Sequence, residues 1–446
     1  MKGCLKMGKE IFLGLVGFGT IGTGIVKLLQ ENEELIQKRL GARLVIKKIA
    51  DLDIDTPRSV SVDRNILTTD VNEILNDPEI PIVIELIGGY DYARSFIINA
   101  MRKGKHVVTA NKALLATHGN EIFAVADEEE VNVGFEASVG GTIPIIKTLK
   151  ESLVANNIKS IAGIMNGTSN YILTKMTDEK RPFEEVLKEA QDLGFAEADP
   201  TYDIEGIDTA HKLTITLALS YGKRVNMEDI YMEGISRISL QDIEFAKELG
   251  YNIKLLAIAI QRENAIEARI HPTMIPFDHL LASVSGNFNA FHFIGDASGS
   301  VFLYGQGAGM MPTASAVVSD LVDIARDMVK GVWRRVPLRS FKKDYIDDIT
   351  LMPMDDIVTN YYFRFSALDR PGVLSKISGI LGSHNISIAS VIQKGRIPDG
   401  VGAVPVVMTT HEAREKDVQM ALKEIDELDV VGGKTILIRI ENDRIK

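Results

Sequence analysis

The stretch IFLGLVGFGTIG, residues 11–22, decides how the chain that follows it is read. An apolar run over residues 11–16 enters GFGTIG at residues 17–22, and a helical pattern continues over residues 25–34. Strand, glycine turn and helix form the context in which GxGxxG becomes informative. Gly17 allows the tight turn, Gly19 lets a pyrophosphate approach the backbone, and Gly22 permits close packing of helix on strand. Phe18, Thr20 and Ile21 complete the loop, whose helix N-terminus faces the anion. A glycine turn that serves only the fold is the alternative.

Outward from that loop, residues 44–50 read as a second strand ending in Asp51. An acid there accepts from a ribose 2′-OH and repels a 2′-phosphate, which favours NAD over NADP. Asp51 lies 29 residues past Gly22, so the first helix must be long, and Arg58 follows closely enough to oppose the aspartate. Residues 80–87, with PIVIELIGG at 81–89, read as a third strand, near-continuously apolar as in a parallel strand buried on both faces, and Gly88 follows it. A helix over 95–103 and a strand over 106–109 lead to Asn111 and Lys112, at the sheet edge where ligands bind. On position alone Lys112 is as readily a surface lysine. The next segment, VGFEASVGGTIPIIKTL at residues 133–149, places Glu136 and a run of carbonyls in one oxygen-rich corner. Hard cations take such ligands, although a plain turn is the default.

After a strand over 158–164, the polar turn NGTSN at residues 166–170 opens a helix. The amides and hydroxyls of Gly167 and Thr168 could hold an anionic or amino-acid substrate there, or simply cap that helix. GFAEADPTYDIEGIDTAHK, residues 194–212, then gathers Glu197, Asp199, Asp203, Glu205 and Asp208 with Lys212. Asp199-Pro200 and Gly206 keep its middle out of regular helix. Once a helix starts near residue 207, Asp208 and Lys212 are an i,i+4 pair on one face. A solvated acidic loop would explain part of this. So many like charges between apolar helices are costly without a cation, and a lysine among carboxylates suits proton transfer to a small polar substrate.

Strands over 251–260, 265–272 and 288–294 suggest a second sheet, followed by a glycine-rich loop over 295–309 that contains Gly307, and a helix over 313–329. Pro337 and Pro353 mark a boundary within 333–356. The tail then runs strand 361–367, turn Asp369-Arg370-Pro371-Gly372, helix 373–384, strand 386–393, strand 403–410, helix 415–427 and strand 435–439. That order is βαββαβ, a ferredoxin-like sandwich. The division expected is a Rossmann-type dinucleotide-binding domain over 1–135 plus 310–330 and an α+β catalytic and oligomerisation domain over 136–309. A linker over 331–356 and a regulatory tail over 357–446 complete it.

At 446 residues the chain has room for about three domains. A net charge of −11 and a pI near 5.4 argue against a nucleic-acid partner, and no basic stripe offsets them. The single cysteine, Cys4, leaves no disulfide framework or cysteine metal site and fits a reducing cytoplasm. No apolar run reaches the ~18 residues of a membrane span.

With those motifs in hand, the chain resembles homoserine dehydrogenases over nearly its whole length. The matches are residues 17–22, ANK at 110–112, GIMNGTSNYIL at 163–173 and, most specifically, residues 194–212. The tail is similar to ACT domains through DRPGVL at 369–374 and HNISI at 384–388. The resemblance implies interconversion of L-aspartate 4-semialdehyde and L-homoserine with NAD or NADP, in the cytoplasm, on the route to threonine, methionine and isoleucine. It implies that Glu197, Asp203 and Asp208 bind or orient the substrate, with Asp208 part of the catalytic group, and that Lys212 is the proton donor. Lys112 would lie near cofactor and substrate, Gly307 would reach the same pocket, and Gly88 would join the cofactor set. Glu136, Val139, Gly141 and Ile143 fall at the family's monovalent-cation site, for Na⁺ or K⁺. Many relatives carry arginine just before the second-strand aspartate, whereas this chain has Ala50, so NADP preference is in doubt. In the tail, Asp369, Gly372 and Asn385 would hold an amino-acid effector such as threonine between paired tails. A homo-oligomer, dimer or tetramer, is expected, the tail's open sheet edge being one place for its contacts.

Two rival readings are tested by the residues. A dehydrogenase that oxidises aldehyde to acyl-phosphate needs a cysteine nucleophile, and Cys4 precedes the first strand. A non-catalytic dinucleotide sensor has no use for the Asp208–Lys212 face.

Overall fold

The computed structural model describes residues 9–394, 402–442 and 445; Cys4 lies outside them. The chain forms two compact units, Met1–Asn157 with His211–Met227 and Leu303–Asp348, and Ile158–Ala210 with Glu228–Phe302 and Ile349–Lys446.

The first unit is built on six strands: β1 (Glu10–Val16), β2 (Arg43–Ala50), β3 (Leu67–Thr68), β4 (Ile82–Glu85), β5 (His106–Thr109) and β6 (Val133–Gly134). Their order is β3-β2-β1-β4-β5-β6, and every pairing is parallel. This is the doubly wound order, with its switch point between β1 and β4, where carboxyl-end turns diverge to leave a crevice. Leu13, Leu15, Ile82 and Ile84 are fully buried, the consequence of apolar residues on both faces. The helix expected over 25–34 starts earlier, at Thr20, and ends at Glu31; a separate helix, Glu33–Leu40, supplies the extra length before β2. Helix Met310–Lys330 packs against Thr20–Glu31 so closely that a Cβ on Gly24 would meet Met310 Cγ at 2.8 Å.

The second unit contains β7 (Ile158–Ile164), β8 (Tyr251–Gln261), β9 (Ile266–Pro276) and β10 (Phe288–Gly295) from the middle of the chain. The tail adds β11 (Val358–Leu368), β12 (Ile388–Gln393), β13 (Ala403–Thr410) and β14 (Ile436–Ile440), with helices Val373–Ser383 and Glu415–Asp426 between them. Within the tail the order β14-β11-β13-β12 is antiparallel throughout, as a βαββαβ sandwich requires. The tail is not a separate body. β14 pairs in parallel with β9 at Thr273↔Arg439 and Met274↔Ile440, so an 11-stranded sheet contains the run β10-β7-β8-β9-β14-β11-β13-β12. Of the tail's two edges, β14 is thus covered and β12 is the one left outermost.

Charged side chains fasten this seam. On β9, Glu267, Arg269, His271 and Thr273 share one face at the two-residue period, and all are buried. Arg269 bonds Glu267 and the tail's Glu441. In the opposite sense, the tail's Arg439 donates to Glu415 (2.6 and 2.9 Å) and reaches Glu233 at 2.8 Å. Arg364 holds Asp242 through two further bonds of 2.6 and 2.9 Å. Buried charges of this kind need partners on every side, and here they find them across the seam.

Candidate active site

Each glycine of the phosphate loop meets the constraint that its position sets. Gly17 sits at φ +100°, and a Cβ on it would lie 2.6 Å from Leu86 O; one on Gly22 would lie 2.3 Å from Gly17 O. Gly19 is the opposite case: it is the N-cap of helix Thr20–Glu31, and nothing lies within 4 Å of where its Cβ would be. That open face beside an uncapped helix N-terminus is what a pyrophosphate needs, so the loop fits a dinucleotide. Asp51, at the end of β2, fixes the loop: it accepts from Phe18 N through Oδ2 and from Asp53 N (2.8 Å) through Oδ1. Arg58 reaches the same corner, but its guanidinium donates to the carbonyls of Phe18 (2.8 Å), Thr56 (2.8 Å) and Asp53 (2.9 Å).

At the carboxyl ends of β4 and β5, one residue that sequence reasoning passed over organises the turn. Glu85 is fully buried and accepts from Ile87 N (2.7 Å), Gly88 N (3.3 Å) and Thr109 Oγ1 (2.7 Å). It sets Gly88, at φ +77° with open space around it, beside the crevice. Its only sequence signal is an acid inside an apolar strand. Asn111 caps helix Lys112–Glu128 by accepting from Leu114 N (3.1 Å), and its amide donates to Gly89 O (2.7 Å). Lys112 is the first residue of that helix. A cation at a helix N-terminus opposes the macrodipole, which weakens the case for an incidental surface lysine.

The Glu136 corner is buried and hydrogen-bonded. Glu136 is 3% exposed, and its two oxygens accept from Ile146 N (2.8 Å) and Lys147 N (2.9 Å). Burial, reinforced by the nearby Asp320 carboxylate, pushes Glu136 up to about 7. Asp320, a second residue that the sequence did not single out, accepts from Glu136 N (2.8 Å) and pairs with Lys147 at 3.5 Å. Gly141 turns at φ +58° so close to the glycine-rich loop that a Cβ would meet Gly307 O at 2.7 Å. Val139, Gly141 and Ile143 follow Glu136 along this turn, where Ile143 N donates to Gly140 O (3.0 Å) and Ile143 O accepts from Ile145 N (2.8 Å). Among the described residues there is no cluster of three or more His, Cys, Asp or Glu side chains suited to a metal.

In the second unit, the turn 166–169 draws the acidic stretch together. Asn166 donates from one amide nitrogen to Asp203 (2.7 Å) and to Asp208 (2.9 Å), while its Oδ1 caps helix Gly167–Glu179 at Ser169 N (2.8 Å). Thr168 Oγ1 donates to Phe195 O, and Ser169 Oγ to Asp203 O, both at 2.7 Å. The first amides of that helix, Gly167 among them, have no acceptor within the helix. Glu197 is exposed, on the loop before the short helix Thr201–Ile204. Asp208 and Lys212 lie one turn apart on helix Ile207–Tyr221, as their spacing required, and both are buried, at 6% and 7% exposure. In the tail, Asp369 and Gly372 precede helix Val373–Ser383, and Asn385 follows it, so about 16 Å of helix separates them within one chain.

A doubly wound sheet with an open phosphate loop, in a chain that also places a buried lysine one helical turn from a buried aspartate, defines a nicotinamide-nucleotide-dependent oxidoreductase with a ferredoxin-like tail. Comparison with known proteins makes the class particular. The homoserine dehydrogenase model matches residues 144–322, the homoserine dehydrogenase NAD-binding model residues 17–136, and the ACT domain model residues 361–429. The chain is 45% identical to the homoserine dehydrogenase of Neisseria gonorrhoeae, over 97% of this chain and 99% of that protein. With that of Pseudomonas aeruginosa it shares 44% identity, again over 97% and 99%. Among solved structures, the homoserine dehydrogenase of Thiobacillus denitrificans superposes with a TM-score of 0.91 at 47% identity, covering 98% of this chain and 100% of that one. The chain therefore belongs to the homoserine dehydrogenase family, and it is an NAD(P)-dependent oxidoreductase that carries an ACT domain. A hyperthermophilic archaeal homoserine dehydrogenase in complex with NADPH is a more distant neighbour, at 27% identity and a TM-score of 0.59 over 70% of this chain and 97% of that one. Among the described residues no helix is long and apolar enough to cross a membrane.

Proposed function

We propose that Lys212 is the general acid that protonates the carbonyl oxygen when L-aspartate 4-semialdehyde is reduced to L-homoserine, and the base in the reverse direction. Asp208 orients that lysine, and Asp203 with Glu197 holds the substrate ammonium. The amides of Gly167 and Thr168, at a helix N-terminus, receive the substrate carboxylate. Lys112 acts beside cofactor and substrate. The nicotinamide supplies the hydride when bound; its phosphates rest on Gly17, Phe18, Gly19, Thr20, Ile21 and Gly22, with Gly88 and Gly307 lining the crevice. The observation that carries this reading is the convergence of Asp203 and Asp208 on the single Asn166 amide. Two carboxylates held together by one amide in a partly buried corner suit a cationic group, and the substrate has one. Homoserine-dependent reduction of NAD⁺ or NADP⁺ by the purified chain tests it, with Asp203→Asn and Asp208→Asn expected to raise the homoserine KM.

The finer assignments follow from the same residues. NAD serves at least as well as NADP, because Asp51 is placed to accept from a ribose hydroxyl and Arg58, at the same corner, is spent on three carbonyls. Na⁺ or K⁺ binds at Glu136 and the carbonyls of Val139, Gly141 and Ile143. An amino acid, threonine foremost, binds at Asp369 and Gly372 of one tail with Asn385 of another, since one chain does not bring the three together. That requires a homo-oligomer, dimer or tetramer, and the chain works in the cytoplasm. We keep the division into 1–135 with 310–330, 136–309, 331–356 and 357–446 as a functional one.

A further inference from the structure

We infer that Asn166 is a positioning residue for this reaction: its side-chain amide sets the spacing and ionisation of the two substrate carboxylates, Asp203 and Asp208. The inference rests on the assignment of those carboxylates to the substrate. Asn166 is 5% exposed, and every polar atom of its side chain is used. Oδ1 accepts from Ser169 N at 2.8 Å, which fixes the amide plane and directs the nitrogen away from the helix. Nδ2 then donates to Asp203 Oδ1 at 2.7 Å and Asp208 Oδ2 at 2.9 Å. An NH₂ group has two protons, so one goes to each acid.

The surroundings leave this group no freedom. A Cβ on the neighbouring Gly167 would lie 2.6 Å from Asn287 O, and Asn289 donates to Met165 O at 3.0 Å, so the backbone on both sides of Asn166 is held. Ser169 Oγ pins the carbonyl of Asp203 at 2.7 Å, and thereby holds the acid's main chain from the same turn that holds its side chain. Two carboxylates in one corner repel; Lys212, one helical turn from Asp208, offsets part of that repulsion, and donors to both acids offset more. A neutral amide that donates to both favours the doubly ionised state without adding a charge that would compete with the substrate ammonium. A lysine or arginine there would fill the role of that ammonium. Only asparagine, or a side chain of its shape, combines the cap oxygen with two donors.

The test separates capping from bridging. Asn166→Asp keeps a capping oxygen of the same size and replaces both donors with an acceptor; Asn166→Ser keeps a good cap and has no amide. Each is compared with the wild type for homoserine and cofactor kinetics against pH, alongside thermal unfolding and NAD(P) binding to establish the fold. The expected result is a ~10–100-fold loss in kcat/KM for homoserine, carried by KM, with cofactor KM unchanged and the acid limb of the pH profile moved upward. Wild-type homoserine KM and pH profile in either folded variant would overturn the inference. Should one variant fail to fold, the other decides. Asp203→Asn and Asp208→Asn are measured in parallel. If they leave homoserine KM unchanged, the assignment of the acids to the substrate fails; if they raise it while the Asn166 variants do not, only the positioning role fails.

Discussion

Asp51 and Glu136 show how single buried or half-buried acids set testable properties. Ala50 before Asp51 carries no charge, and Arg58 at the same corner is bound to three carbonyls. The expected outcome is a kcat/KM for NAD at least equal to that for NADP; a hundredfold preference for NADP would show that Arg58 leaves its carbonyls to bind phosphate. Glu136 gives a pH dependence. Burial, and then Asp320, raises it from 4.5 to about 7, so the folded chain holds a proton that the unfolded chain has lost. Its contribution to stability is complete below pH 4.5 and is lost as pH rises through 7, on the order of 3 kcal/mol in all. Thermal unfolding of wild type and Glu136→Gln between pH 4.5 and 8 reads this directly. Wild type should fall relative to the variant between pH 4.5 and about 7 and level off above it, and K⁺ or Na⁺ should reduce that fall if the ion holds the carboxylate ionised. A difference that is flat with pH would contradict the account.

At the scale of elements, the seam between β9 and β14 has the most to lose. Arg439 is 1% exposed and is shared by Glu415, Glu233 and Tyr231. Burial alone would raise Glu415; the Arg439 charge and hydrogen bonds outweigh it and hold the carboxyl below its ordinary 4.5. That stability is present above pH 4.5 and is lost as pH falls through the lowered value. Arg439→Met leaves Glu415 buried without its cation, so a loss of ~3–5 kcal/mol at neutral pH is expected in urea unfolding. The loss should shrink in acid, where Glu415 is neutral. A cost below about 1 kcal/mol would mean that the seam relaxes. For the loop before helix Val373–Ser383, Gly372 at φ +90° makes Gly372→Ala strained whatever binds there. Asp369→Ala is therefore the informative variant: threonine inhibition should weaken at least tenfold, with uninhibited turnover unchanged.

Taken as a whole, the molecule was most legible where the constraint is local. The phosphate loop, the βαββαβ order and the Asp208–Lys212 spacing each follow from neighbours within a few residues, because turn geometry and helix period are local. Glu85, Asp320 and the β9–β14 pairing were not legible. Each depends on partners far along the chain, and an acid within an apolar run carries no mark of what it will accept from. The same seam changes how the tail should be studied. Removing residues 357–446 would strip β9 of its neighbour and leave Arg269 and Glu233 without Glu441 and Arg439, so point variants are the cleaner probe. The central claim, that this chain reduces a carbonyl with Lys212 as proton donor, is tested most directly by steady-state kinetics of Lys212→Ala in both directions. The account predicts a kcat lowered ~10²–10⁴-fold with cofactor affinity little changed. Near wild-type turnover in a folded Lys212→Ala protein would contradict it.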